Sequence, residues 1–354
     1  MSRIEAKPYR LRLQTPYRWA KGVQDFRSGL ILRADLDGAI GWGEVALPPH
    51  VAFPGDALAQ SCRALVAGLD PADPGFLGEI DLRESAPRLR CGIATAVLTA
   101  RARAAGRSLA THIAGRERAI AASVPVNDLI GDASPHDCVL RAGAAVARGQ
   151  DTVKVKCTPD RDQDLARVGA IRAAFPELRI RLDPNESWPL EWAALQLEAM
   201  AEFGIEYCEE PLPRDTPLHE YARLRRQTRV PIALDDSARS TFHVERIVEL
   251  GAADVLILKA QRVGGPDRCR DIIRLAESNG LRCTVTASLE TSVGLYVGLH
   301  CAALSASPVA AAGIGTARYF AENVGEPPAI VDGRMRVPAE PGLGFDPVGW
   351  WERQ

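Results

Sequence analysis

The sequence predicts an α/β protein: a (β/α)8-type (modified TIM) barrel with an α+β capping domain at its N-terminus. Three observations predict it. Short apolar runs repeatedly stop at charged residues. VKVKC carries Lys154 and Lys156, RIRLDPN carries Asp183, IEYCEEP carries Glu209 and Glu210, VPIALDD carries Asp235 and Asp236, and DVLILK ends on Lys259. From Lys156 the steps are 27 residues to Asp183, 26 to Glu209, 26 to Asp235 and 24 to Lys259, which suits one strand plus one helix. Between these runs lie amphipathic connectors: QDLARVGAIRAAF, 163–175, sets Leu165, Val168, Ile171 and Phe175 at helical spacing. Finally, 354 residues hold a barrel of about 250 residues with a second domain to spare.

Taken in order, residues 4–16 alternate loosely and read as a strand. Residues 29–47 place Asp37-Gly38 between apolar runs, a strong hairpin signal. Two irregular stretches, 15–28 and 47–55, flank that hairpin and read as a lid, with Trp19, Phe26 and Phe53 available to cover an apolar ligand. Helices are expected over 56–69 and 87–116, which ends a capping domain spanning 1–120. The barrel, 121–320, starts with ASVPVN at 122–127 and continues with a helix over 135–148. Helices follow at 190–200, 217–227, 241–250 and 266–279, with LRCTVTA (281–287) as seventh strand and PVAAAGI (308–314) as eighth. The tail, 321–354, has a turn at Asp332-Gly333 and too few helical signals for another barrel unit, so it is expected to pack back on the capping domain.

A net charge of −2 gives no reason to expect nucleic acid or an anionic membrane as partner. No apolar run approaches the roughly 20 residues of a membrane span, and MSRIEAKPYRLRLQ lacks the apolar core of a signal peptide, so a cytoplasmic protein is expected. Eight cysteines are scattered without a C-x-x-C pair and read as reduced core thiols. Homo-oligomerisation stays open.

In a parallel barrel the strand C-termini share one mouth, so five successive strands aim three carboxylates and two lysines into one cavity. Asp183, Glu209 and Asp235 form a hard, all-oxygen set suited to Mg²⁺ or Mn²⁺, which would neutralise their mutual repulsion. Lys154 and Lys156 lie on the same side of one strand; like-charge repulsion and burial are expected to lower their pKa values and prepare a general base. Lys259 comes four strands on, across the ring. Such a site suits abstraction of the proton beside a substrate carboxylate through a metal-stabilised enediolate.

These residues resemble the enolase superfamily, in particular its muconate-lactonising-enzyme-like branch. The resemblance rests on K-x-K at 154–156, LDPN at 182–185, E-E-P at 209–211, LDDS at 234–237 and LKAQRVGG at 258–265, with GWGE near the hairpin end and a closing PGLGF. It implies that Asp183, Glu209 and Asp235 bind the metal and that Lys156 and Lys259 are the acid/base pair, supported by Lys154, Arg181 and Asn185. Asp236 stands where the family usually has Glu, a residue that often pairs with the second lysine, so its shorter arm is expected to shift Lys259.

For the reaction, TASLETSVGLYVGLH at 286–300 resembles the corresponding segment of o-succinylbenzoate synthases. That resemblance implies dehydration of a succinyl-hydroxy-cyclohexadiene carboxylate (SHCHC) in menaquinone biosynthesis, with Lys156 as base and Lys259 as a cation over the ring. Thr286 and Ser288 would hydrogen-bond the succinyl tail, and the stretch from Gly313 through Gly315 to Thr316 would offer backbone N–H groups. An N-acylamino-acid racemase or dipeptide epimerase is the rival; epimerases usually carry an Asp-x-Asp after the eighth strand, where this chain reads AAGIGTARYF. A non-catalytic metal-binding relative would have lost a lysine or ligand, and none is lost.

Overall fold

The computed structural model describes residues 2–19, 22–48, 55–83, 86–115, 118–131, 133–305 and 310–354. The chain opens with an antiparallel meander of β1 (Arg3–Trp19), β2 (Gly22–Leu36) and β3 (Ala39–Ala46). Asp37 and Gly38 turn β2 into β3 with φ +52° and +93°, the left-handed pair a tight hairpin needs. Helices α1 (Gly55–Val66), α2 (Phe76–Leu82) and α3 (Pro87–Ala104) follow. Leu30, Leu32, Val45, Phe76, Ile80 and Ile93 fill their shared core. The sheet approaches α3 so closely that a Cβ on Gly43 would stand 2.0 Å from the Gly92 carbonyl oxygen. The helix expected over 87–116 is thus broken: α4 (Leu109–Ala114) is separate, capped by the Ser108 hydroxyl.

The barrel comes next. Strands β5 (Asp128–Ile130), β6 (Thr152–Lys156), β7 (Arg179–Asp183), β8 (Ile205–Glu209), β9 (Ile232–Leu234), β10 (Val255–Leu258) and β11 (Arg282–Val285) pair in sequence order, all parallel. Their connectors are α5 (Pro135–Ala147), α6 (Arg161–Ala174), α7 (Leu190–Met200), α8 (Leu218–Gln227), α9 (Thr241–Leu250), and the pair α10 (Ala260–Val263) and α11 (Pro266–Ser278). After β11 comes α12 (Ser292–Ala302). Residues 312–313 then close the ring: Ala312 N–H donates to Pro125 O (2.8 Å) and Gly313 N–H to Val285 O (2.9 Å).

Two expectations are corrected here. The first barrel strand is divided: β4 (Ser123–Pro125) pairs with a tail hairpin, β12 (Ile330–Val331) and β13 (Arg334–Arg336), and β5 takes its place in the parallel sheet. The stretch 15–28 is not an irregular loop over its described residues, because β1 and β2 stay paired from Tyr17–Gln24 to Trp19–Gly22; residues 20–21 lie outside the described residues. The tail ends in a short helix, α13 (Val348–Arg353). There Trp351 meets Trp42 edge-on with ring centroids 5.3 Å apart, and the Trp42 indole N–H donates to Asp346 Oδ1 (2.8 Å).

Buried His300 on α12 joins three parts. Its Nδ1 accepts from the Ala110 N–H of α4 (3.3 Å), so its Nε2–H donates to the Leu343 carbonyl of the tail (3.0 Å). Only the neutral ring makes both bonds, and burial lowers its pKa from 6.5 to about 4. The stability it contributes is therefore whole above pH 6.5 and is lost as pH falls towards about 4, since the unfolded chain takes up the proton first. His300→Gln should lower stability at neutral pH and flatten the pH dependence of unfolding free energy within that window; a slope equal to the wild type would refute this.

Candidate active site

Parallel pairing puts five side chains at the same end of the sheet. Lys156, Asp183 and Glu209 are the last residues of β6, β7 and β8, while Asp235 and Lys259 immediately follow β9 and β10. Strands β7 and β8 stop for a local reason. Pro184 and Pro211 lack the N–H to continue a ladder, and Asn185, Glu186 and Glu210 take φ of +53°, +62° and +39°. Backbone bonds then tie the turns together, Cys157 N–H to Asp183 O (3.0 Å) and Glu186 N–H to Glu210 O (3.0 Å) among them. All five end groups line one cavity of about 860 Å³.

The charges interlock. Lys154 Nζ bridges Asp183 Oδ2 (2.9 Å) and Glu209 Oε2 (3.0 Å), and Lys156 Nζ reaches the same Asp183 oxygen at 2.5 Å. Across the ring Lys259 pairs with Asp235 Oδ2, which Arg262 also approaches at 3.0 Å. Burial alone would raise the Asp183 pKa, but Lys154 and then Lys156 hold it well below the carboxylate range. Asp235 is likewise lowered against burial, by Arg262 and Lys259. For Lys154, burial pulls downward, yet Asp183, Glu209 and Tyr207 raise its pKa well above 10.5. This corrects the expected lowering at Lys154: the carboxylates that face it outweigh burial.

The supporting residues sort by depth. Arg181 is fully buried inside the barrel, its Nε on Glu206 (2.6 Å) and its Nη1 on Asn127 Oδ1 (3.2 Å) and Ala311 O (2.6 Å). Asn185 lines the cavity, and its N–H donates to Asp183 Oδ1 (3.0 Å). Asp236 does not pair with Lys259; it meets Arg262 at 2.8 Å. Among the described residues no group of three His, Cys, Asp or Glu stands ready as a metal-ligand cluster, since the carboxylates turn onto ammonium groups. The donor chemistry nevertheless fits a hard divalent cation: three carboxylates line the cavity, and buried Asp235 Oδ1 has no hydrogen-bond partner.

Thr286, Ser288, Gly313, Gly315 and Thr316 line the same cavity. The hydroxyls of Thr286, Ser288 and Thr316 are buried and have no hydrogen-bond partner in the protein. Gly313 departs from expectation, because its N–H is spent on Val285 in closing the barrel. Of the expected lid, Leu47 and Pro48 line the cavity, whereas Phe26 lies under the Arg10 guanidinium at 3.9 Å. The Trp19 side chain and Phe53 fall outside what is described. Sequence reasoning missed Arg262, although it sits within LKAQRVGG, and Glu44, although it ends GWGE. The buried Glu44 carboxylate accepts from Tyr9 Oη (2.7 Å), Thr291 Oγ1 (2.7 Å) and Gly294 N–H (2.8 Å), which fastens the cap to the start of α12.

Comparison with known proteins adds to this geometry. A family model described as "Enolase C-terminal domain-like" matches residues 137–349. The chain is 36% identical over 244 residues to an o-succinylbenzoate synthase of Thermobifida fusca, covering 65% of this chain and 74% of the relative. It is 29% identical over 351 residues to an N-succinylamino acid racemase of Thermus thermophilus, covering 97% and 92%. A dipeptide epimerase from Cytophaga hutchinsonii, solved with Mg and the dipeptide D-Ala-L-Val, superposes with a TM-score of 0.86 at 24% identity, covering 96% of this chain and 94% of that one.

Arg27 of β2 is fully buried and donates to the carbonyls of Leu289 (Nε, 3.0 Å) and Ser288 (Nη2, 2.9 Å). It thereby fixes the loop that carries Ser288. Arg27→Met should cost about 2–4 kcal/mol of stability through loss of two charge-assisted bonds and lower the melting temperature. Divalent-metal affinity, measured by calorimetry, should stay within error; a matching loss of metal affinity would contradict this positioning role.

Proposed function

Because the chain is an enzyme of the enolase superfamily, in its muconate-lactonising-enzyme-like branch, we propose that it removes the proton α to a substrate carboxylate with a divalent metal. We further propose that its reaction is the o-succinylbenzoate synthase dehydration of SHCHC. The observation that carries this is the convergence of Lys156, Asp183, Glu209, Asp235 and Lys259 on one cavity. The likeness to the Thermobifida synthase supports the choice of reaction.

Asp183, Glu209 and Asp235 would hold Mg²⁺ or Mn²⁺. When bound, the ion supplies Lewis acidity to the substrate carboxylate. The chain's own groups do the rest. Lys156 takes the α-proton and returns it to the departing hydroxide on the same face. Lys259, on the strand opposite in the ring, contributes a fixed cation to the ring of the substrate. Thr286, Ser288 and Thr316, whose hydroxyls lack a partner in the protein, hydrogen-bond the succinyl tail, and Lys154 restrains Asp183 and Glu209.

The metal requirement is testable directly. Asp183→Asn, Glu209→Gln and Asp235→Asn should each abolish turnover, and Mg²⁺ should raise the melting temperature of the wild type more than that of the variants. Full turnover in chelator, with no metal by elemental analysis, would sink the assignment.

A second reading, N-succinylamino acid racemase, is favoured by the likeness to the Thermus racemase along nearly the whole chain. Racemisation needs both lysines as proton carriers, one on each face; dehydration needs Lys156 alone. With SHCHC, followed by the ultraviolet absorbance of the aromatic product, Lys156→Ala should be inactive and Lys259→Arg should retain more activity than Lys259→Ala. In deuterated water the wild type should exchange neither enantiomer of an N-succinyl amino acid. Rapid exchange of both, without conversion of SHCHC, would establish the racemase instead.

A further inference from the structure

The cavity wall carries five guanidinium groups: Arg88, Arg214, Arg239, Arg262 and Arg318. Four are already paired with carboxylates. Arg214 meets Glu186 at 3.2 Å, Arg239 meets Asp236 at 3.3 Å, Arg262 meets Asp235 and Asp236 at 3.0 and 2.8 Å, and Arg318 is paired with Asp128. The three cavity lysines are paired too. Among the described residues Arg88 is the exception. Its Nη1 donates to the Ala46 carbonyl (2.6 Å), and no ion pair joins it to a carboxylate of the described residues.

Position adds to this. Arg88 is the second residue of α3 and belongs to the capping domain, whereas the carboxylates and lysines belong to the barrel strands. A ligand touching both must span the cavity between cap and barrel. Ala46, which anchors the guanidinium, directly precedes Leu47 and Pro48 of the same wall and is itself held through its N–H by Gln261 of α10 (3.1 Å). The guanidinium is thus fixed at one corner and offers its remaining N–H groups in a planar fork suited to a carboxylate. Burial lowers its pKa; the Glu290 charge opposes this, and the like charges of Arg262 and Arg27 add to the lowering, so a bound anion would favour the charged guanidinium.

We propose that Arg88 is a specificity-determining residue that receives a second carboxylate, so that the substrate is a dicarboxylate held by the barrel at one end and by the cap at the other. This rests on the proposed function for the first carboxylate, and it assigns the recognition of the second to the capping domain.

The test is binding rather than turnover, so that it stands apart from the identity of the reaction. The Mg²⁺-loaded protein is titrated calorimetrically with o-succinylbenzoate and with its analogue in which the succinyl carboxylate is an amide. The wild type should prefer the dicarboxylate by roughly ten- to hundred-fold, the range of a charge-assisted hydrogen bond. Arg88→Met should reduce that preference to within about three-fold and Arg88→Lys should keep part of it. Any general damage from freeing the Ala46 carbonyl would weaken both ligands alike and leave the ratio unchanged. A wild type that binds the two equally, or an Arg88→Met protein that keeps the full preference, overturns the proposal. Retained preference in a protein that neither dehydrates SHCHC nor exchanges N-succinyl amino acids would overturn the proposed function and leave the Arg88 assignment standing.

Discussion

Everything at the mouth of this barrel depends on burying three carboxylates side by side. Asp183, Glu209 and Asp235 are each at most 7% exposed, and uncompensated charges at that depth are very costly. The chain answers with cations placed by the same strand periodicity. Lys154 and Lys156 enter one strand before Asp183, and Lys259 one strand after Asp235. The groups proposed for chemistry are therefore also the groups that make the burial tolerable. A divalent ion would compete with Lys154 for the Asp183 and Glu209 oxygens, so metal binding and the freedom of that lysine are linked.

The second dependence is the fastening of cap to barrel. Glu44, Arg27 and Gln261 are all buried and all cross the domain boundary. Glu44 caps the start of α12, Arg27 clasps the loop after β11, and Gln261 donates to Glu44 O (2.7 Å) while accepting from the Ala46 N–H. Each bond satisfies a main-chain group that burial would otherwise leave costly. They fix the cap against the residues that shape the far wall of the cavity. Arg88 and Leu47 are set in relation to Lys259 by these contacts, because Gln261 lies two residues beyond that lysine.

Sequence alone determined what is periodic and local. Strand ends recurring at 24 to 27 residues located Asp183, Glu209, Asp235, Lys156 and Lys259 in one mouth, since parallel strands joined by helices share a direction. The Asp37-Gly38 hairpin was equally legible, because only a few residues accept that backbone geometry. Tertiary structure decided what pairing at a distance decides. Whether residues 15–19 and 22–28 form loop or strand depended on a partner strand, and whether 123–125 joined the barrel depended on the tail hairpin from over 200 residues away. The pKa of Lys154 depended on which carboxylates face it rather than on its neighbour Lys156. Arg88 and Glu44 carried no periodic signal; their roles exist only where cap meets barrel, because a charge is defined by its partners and those partners are brought together by the fold.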